Sequence, residues 1–257
     1  EPERAMSRAD IALYRAKADG RGLVRAFDER LEADTVRRAG IETALIGALD
    51  RREFHLEYQP KLDSNGGKIV GAEVLLRWIH PEMGFIPPDI FIPAAEDTMQ
   101  LGPISKWILD TACAQARTWR DKGIGTFPLA INMSAPEIQS PDLVSDVSSA
   151  LKRHNFEPSM LEIEITESML MADFETAHQQ LSELRKLGVT IAIDDFGTGY
   201  SSLSYLHRLE VDALKIDRSF VGSLERPQSK SIVQSILSLA GTLRLKTVGE
   251  GVETIEQ

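Results

Sequence analysis

Two adjacent carboxylates, Asp194 and Asp195, stand where a strand-like run, Thr190-Ile191-Ala192-Ile193, gives way to Phe196-Gly197-Thr198-Gly199-Tyr200-Ser201-Ser202. Paired acids at a strand end serve a core poorly and hold cations well. The glycines let the backbone turn sharply after them. Further on, Ala213-Leu214-Lys215-Ile216-Asp217 places a lysine inside a pattern otherwise suited to a buried strand. Carboxylates, a turn and a lysine from two neighbouring strands are the parts of a site for charged substrates.

Stepping outward along the chain, helix-type and strand-type segments alternate from Ala39 onward, which predicts an α/β fold with a parallel sheet. Apolar stripes mark helices at Ile41, Leu45 and Leu49, at Leu181, Leu184 and Leu187 (closed by Gly188), and at Ile232, Ile236, Leu239 and Leu243. In the strands, bulky apolar residues alternate with small or polar ones. Leu129, Ile131 and Met133 oppose Ala130, Asn132 and Ser134; Leu161, Ile163 and Ile165 oppose Glu162, Glu164 and Thr166; Val189, Ile191 and Ile193 oppose Thr190, Ala192 and Asp194. Leu214 and Ile216 oppose Lys215 and Asp217, Gly71, Glu73, Leu75 and Arg77 share one face, and Lys246, Val248 and Glu250 give a weaker case. With helices between the strands, the apolar faces are expected to pack outward and the others to converge inside a barrel. Barrel enzymes take their catalytic groups from the C-terminal ends of several strands. Glu73, Asn132, Glu164, Asp194, Lys215 and Glu250 are therefore expected to form one ring.

Four carboxylates in that ring, with Asp195 beside them, would repel or raise one another's pKa values. One lysine and Asn132 do not balance them, and hard divalent cations do. Oxygen donors without cysteine, and without a histidine pair at metal spacing, favour Mg²⁺ or Mn²⁺ over zinc. Two such ions would suit in-line displacement at a phosphate by water. Lys215 could deprotonate the water or stabilise developing charge, and the sequence leaves both roles open. Arg77 could hold a phosphate through its planar fork, or form a surface ion pair. Asp217 either assists Lys215 or begins the next helix.

A chain of 257 residues suits one barrel of about 250 residues. The net charge of -10 argues against a basic face for DNA or RNA polymers, although bound cations still permit a phosphate ligand. Single Cys113 excludes an intrachain disulfide, fits a reducing cytoplasm and reads as packing. No apolar run approaches about eighteen residues, so no membrane insertion by this segment is expected, with room for an anchor upstream. His55, His80, His154, His178 and His207 are scattered and read as structural or surface residues, and Trp78, Trp107 and Trp119 read as core.

Glu73-Val74-Leu75-Leu76-Arg77-Trp78 resembles the namesake motif of the EAL family of cyclic di-GMP phosphodiesterases, with valine in place of alanine. Tyr58-Gln59-Pro60, Asn132-Met133-Ser134, Glu164-Ile165-Thr166-Glu167, the Asp194-Asp195 loop, Lys215 and Glu250-Gly251-Val252-Glu253 match further family motifs in order. The resemblance implies a TIM-like (β/α)8 barrel over residues 39–257 that hydrolyses cyclic di-GMP to linear pGpG by in-line attack of a metal-activated water. It implies that Glu73, Asn132, Glu164, Asp194, Asp195 and Glu250 hold two Mg²⁺ or Mn²⁺ ions. Lys215 would activate water, with Glu73 and Asp194 sharing the catalytic centre, while Gln59 and Arg77 contact substrate. Glu167 and Glu253 would support the ligands, and the loop after Asp195 would couple the site to a homodimer. The family continues past the Glu250 motif through another strand and helix, so the domain is expected to be C-terminally incomplete. Residues 1–28, with a helix at Ala9–Lys17, stopped by Gly20 and Gly22, and a short strand at Val24–Phe27, resemble the end of a GGDEF domain, and 29–38 form a linker that could be helical. Two rival functions are a noncatalytic cyclic di-GMP receptor, which usually lacks a ligand or the lysine, and an unrelated metal-dependent barrel enzyme.

Overall fold

The computed structural model describes residues 5–6, 8–10, 12–13, 16, 22–64, 67–198 and 208–257. Ile11, Tyr14, Arg15 and Lys17 of the expected first helix, Gly20, loop residues Gly199–Ser202 and His207 lie outside them. The chain divides into two compact units, Glu1–His55 with Leu76–Ile104, and Leu56–Leu75 with Ser105–Gln257.

In the first unit, helix α1 (Glu29–Leu45) starts at Asp28, whose carboxylate accepts the Leu31 amide at 2.7 Å. Residues 29–38, expected as a linker that could be helical, are part of this helix. Ile41 and Leu45 are buried as their spacing predicts, but the stripe does not reach Leu49. Gly47 at φ +76° turns the chain, and Ala48 takes the buried position instead. Val24–Phe27 is not a strand: Val24 is 97% exposed, and among the described residues no strand pairs with it. A lone extended segment has no ladder to stabilise it. Trp78 is fully buried against Phe54 and Phe91, with ring centroids 5.6 and 5.5 Å away, and its indole donates to Glu53 Oε2 at 2.9 Å. Strand β1 (Phe54–Leu62) and β2 (Ile69–His80) run through the division between the units. The end of β2 pairs antiparallel with β3 (Gly84–Ile86), and helix α2 (Pro88–Asp97) follows.

The second unit alternates strand and helix after α3 (Leu101–Asp121): β4 (Leu129–Asn132), α4 (Ala135–Ile138), α5 (Leu143–His154), β5 (Leu161–Thr166), α6 (Glu167–Ala172), α7 (Phe174–Leu187), β6 (Thr190–Phe196), β7 (Ala213–Ile216), α8 (Arg218–Val221), α9 (Pro227–Leu243) and β8 (Lys246–Gly249). The sheet runs β1-β2-β4-β5-β6-β7-β8, and every pair from β2–β4 to β7–β8 is parallel. Register aligns Ala72 with Leu129, Leu129 with Leu161, Ile163 with Ile191, and Ile193 with Leu214, so like faces meet like. Helix α7 packs on β6, and α9 on β7 and β8. Leu181 and Leu184 bury the α7 stripe, each contributing about 1.5–3 kcal/mol of apolar burial. Gly188 ends that helix in the left-handed conformation, as predicted. Cys113 is fully buried in α3, and burial pushes its thiol up to about 12. Among the described residues no helix is long and apolar enough to cross a membrane.

Candidate functional site

Each polar group reaches the site because it faces away from its strand's helix-packed side. On β5, Leu161, Ile163 and Ile165 fill the core while Glu162 and Glu164 point the other way, and on β7 Lys215 does the same between Leu214 and Ile216. Lys215 Nζ is the hub. It lies 2.7 Å from Glu164 Oε2, 2.9 Å from Asp194 Oδ2, 2.8 Å from Glu250 Oε1 and 3.2 Å from Glu73 Oε2. These carboxylates come from β5, β6, the end of β8 and β2. Asn132, level with Glu164 in the β4–β5 register, donates its Nδ2 to Glu73 Oε1 at 2.8 Å. All six residues expected in the ring are thus joined by direct contacts.

Consecutive strand residues point to opposite faces, so Asp194 and Asp195 need a departure from regular geometry to act together. It exists: the β6–β7 register shifts between Ile193 and Phe196, and Asp195 has φ +52°. Aspartate tolerates this left-handed conformation better than most residues. The Asp195 amide donates to Asp194 Oδ1 at 2.8 Å, and Thr198 returns both its amide and hydroxyl to the Asp195 carbonyl. As a result Asp194, Asp195 and Glu250 each bring one carboxylate oxygen within 4.8 Å of the others.

Burial alone would lower the Lys215 pKa, but Glu164, Glu73 and Asp194 outweigh it and hold the ammonium charged. Burial pushes Glu164 up to about 7 against the pull of Lys215 and Lys61. Glu250 is raised by burial, opposed by Lys215, and Asp195 is raised by burial and by Asp194 and Asp217. The arrangement holds more carboxylates than ammonium groups around the hub, all with oxygen donors, which is the composition that accepts a hard divalent cation.

Gln59 is exposed on β1, and Arg77 is half-buried on β2, its guanidinium donating to the Leu76 carbonyl at 3.1 Å. Glu167 opens α6, and Glu253 is exposed beyond β8. Asp217 caps α8, accepting the Ser219 amide at 3.0 Å and its hydroxyl. Two site residues, Lys61 and its partner Glu162, were not foreseen. Lys61 Nζ donates to Glu162 Oε1 and to Glu164 Oε1, both at 2.7 Å. The signal was present, since Phe54, Leu56 and Tyr58 alternate with His55, Glu57 and Gln59, and Lys61 continues the polar set. Pro60 hides it, because proline argues against a strand interior but is tolerated at a sheet end, where β1 lies.

A family model described as EAL domain matches residues 42–257. The bifunctional diguanylate cyclase/cyclic di-GMP phosphodiesterase MucR of Pseudomonas aeruginosa is 44% identical over 253 residues, 98% of this chain and 37% of that protein. Cyclic di-GMP phosphodiesterase NbdA of the same organism is 38% identical over 256 residues, 99% of this chain and 33% of its own length. A solved structure of the PaMucR phosphodiesterase in complex with c-di-GMP is 46% identical, with a TM-score of 0.81 over 84% of this chain and 88% of that one. The chain spans about a third of the length of these curated relatives. Its fold class, α/β with a parallel sheet of the TIM-like barrel kind, is that of the solved relative. By the extent of the family match and by these identities, the chain belongs to the EAL-domain family.

Proposed function

We propose that this chain is a cyclic di-GMP phosphodiesterase that yields linear pGpG and depends on Mg²⁺ or Mn²⁺, with two ions bound. The observation that carries this is the buried Lys215 ammonium within 3.2 Å of four carboxylates delivered by four strands. A receptor that only binds nucleotide has no need of so costly an arrangement. The c-di-GMP complex of the 46% identical relative supports the choice of ligand.

Glu73, Asn132, Glu164, Asp194, Asp195 and Glu250 would hold the cations, and their all-oxygen donor set fits such ions. Bound cations would make water a stronger nucleophile at neutral pH and offset charge on the phosphate oxygens. Glu73 and Asp194 each keep an oxygen on Lys215 and so couple the lysine to the cation site. Lys215, charged and fixed by its four partners, donates hydrogen bonds. Its three N–H groups are taken up by Glu73, Glu164 and Asp194, so it would orient and polarise the attacking water once bound cations draw these carboxylates away, while its charge stabilises developing negative charge. The water oxygen bonds to one phosphorus, one phosphorus–oxygen ester bond breaks, and the departing oxygen takes up the proton. Gln59 and Arg77 contact the nucleotide, Arg77 through its guanidinium fork. Glu167 and Glu253 steady the ligands and the loop.

The same reading includes a homodimer through the loop after Asp195 and a cytoplasmic site of action, which the single buried thiol suits. It also takes residues 1–28 as the remnant of a GGDEF-like domain, 29–38 as a linker and 39–257 as the catalytic domain. The test is incubation with cyclic di-GMP and Mg²⁺ or Mn²⁺, followed by chromatography. Conversion to pGpG, lost with EDTA and in Lys215→Ala, is expected. Tight nucleotide binding without product would instead establish a receptor.

A further inference from the structure

Glu164 is divided between two lysines. Its Oε2 accepts from Lys215 at 2.7 Å inside the carboxylate ring, and its Oε1 accepts from Lys61 at 2.7 Å. Lys61 is held on its other side by Glu162 Oε1, also at 2.7 Å. Glu162 and Glu164 are alternate residues of one face of β5, so a single ammonium from β1 reaches both. The Lys61 and Glu162 side chains are 15% and 18% exposed, and Glu164 is fully buried. An ammonium flanked by two carboxylates has little reason to leave when charge nearby changes. Glu164 therefore has one oxygen committed outside the ring and one left to face it. Groups that orient a metal ligand in this way commonly alter affinity by about 10–100-fold when removed.

We infer that Lys61, anchored by Glu162, is a positioning residue that fixes Glu164 to present Oε2 alone to the cation site and thereby sets cation affinity. This rests on the divalent-cation site proposed above. Coulomb attraction by itself predicts the opposite of positioning: removing a positive charge beside a ligand should tighten cation binding. The sign of the effect separates the two roles. Mn²⁺ binding without nucleotide, followed through the electron paramagnetic resonance signal of free Mn²⁺, should weaken about tenfold or more in Lys61→Met. Lys61→Arg, whose fork can still bridge both carboxylates, should return most of the affinity, and Glu162→Gln should weaken binding by a smaller factor. At saturating Mn²⁺ the Lys61→Met kcat should approach that of wild type, since only occupancy is impaired.

Unchanged or tighter Mn²⁺ binding in Lys61→Met, with wild type binding normally, overturns the positioning role alone. So does a kcat that stays low at saturating cation. If wild type itself binds no Mn²⁺, the cation site and the proposed function fail with it. Should Lys61→Met not fold, Lys61→Arg and Glu162→Gln decide by the same measurement.

Discussion

Replacing Lys215 by methionine would keep the length of the side chain and delete the charge that four carboxylates share. Glu73, Asp194 and Glu250 retain 18%, 13% and 24% side-chain exposure and can recover some hydration, whereas Glu164 has none. Lys61 still neutralises one Glu164 oxygen, so the loss should fall near the lower end of what breaking a buried pair costs, about 3 kcal/mol. At about 2–4 °C per kcal/mol for a domain of this size, the melting temperature in EDTA should drop by about 6–12 °C. Mg²⁺ or Mn²⁺ would replace the missing counter-charge, so cation should raise the melting temperature of Lys215→Met by more than it raises that of wild type. Thermal melts followed by circular dichroism, with and without cation, measure both. A Lys215→Met protein that melts with wild type in EDTA, or gains nothing extra from cation, would refute the picture of a lysine standing as counter-ion to the ring.

Cation affinity should depend on pH. Glu164 is pushed up to about 7, and Glu250 and Asp195 are also raised, all chiefly by burial, so at low pH protons occupy the oxygens a cation needs. Mn²⁺ affinity should climb as pH rises through about 7, by about tenfold per unit where one proton is displaced; titrations that give one affinity from pH 6 to 8 would contradict this. Asp212 Oδ2 accepts the Ile191 amide at 2.8 Å and the Arg185 guanidinium, tying β6 to the start of β7. Asp212→Ala should cost about 1–3 kcal/mol in urea unfolding, because the buried amide loses its partner, and an unchanged midpoint would dismiss that tie. Gly197 has φ +98°, and a Cβ there would meet Phe220 at 3.1 Å and Ile236 at 3.2 Å. Gly197→Ala should therefore destabilise by more than about 1 kcal/mol by the same measurement, and a neutral change would show that the turn relaxes freely.

The ring was legible because strand alternation is a local signal with global consequences. Once Ile163 and Ile165 are committed to a helix-covered face, Glu164 must point inward, and the same holds for Lys215 between Leu214 and Ile216. Parallel pairing then brings the strand ends together without further instruction. The adjacent acids were legible as a pair, but the device that lets them cooperate was not: nothing in Asp194-Asp195 announces a shifted register or a left-handed Asp195. Lys61 was missed for a different reason, since its partners lie about a hundred residues away and Pro60 disguises β1. Val24–Phe27 carried strand propensity but found no neighbour among the described residues, and Leu49 carried helical spacing past a glycine that ends the helix. Propensity proposes such elements, and tertiary partners decide them.

The most direct test of the proposed activity is phosphorus NMR of cyclic di-GMP mixed with the wild-type chain and Mg²⁺. The phosphodiester resonance of the cyclic substrate should give way to one diester and one monoester resonance in equal amounts, as opening a single ester bond requires, and EDTA should stop the change. A substrate resonance that broadens on binding yet never yields a monoester would contradict hydrolysis and leave the domain a binder of the nucleotide.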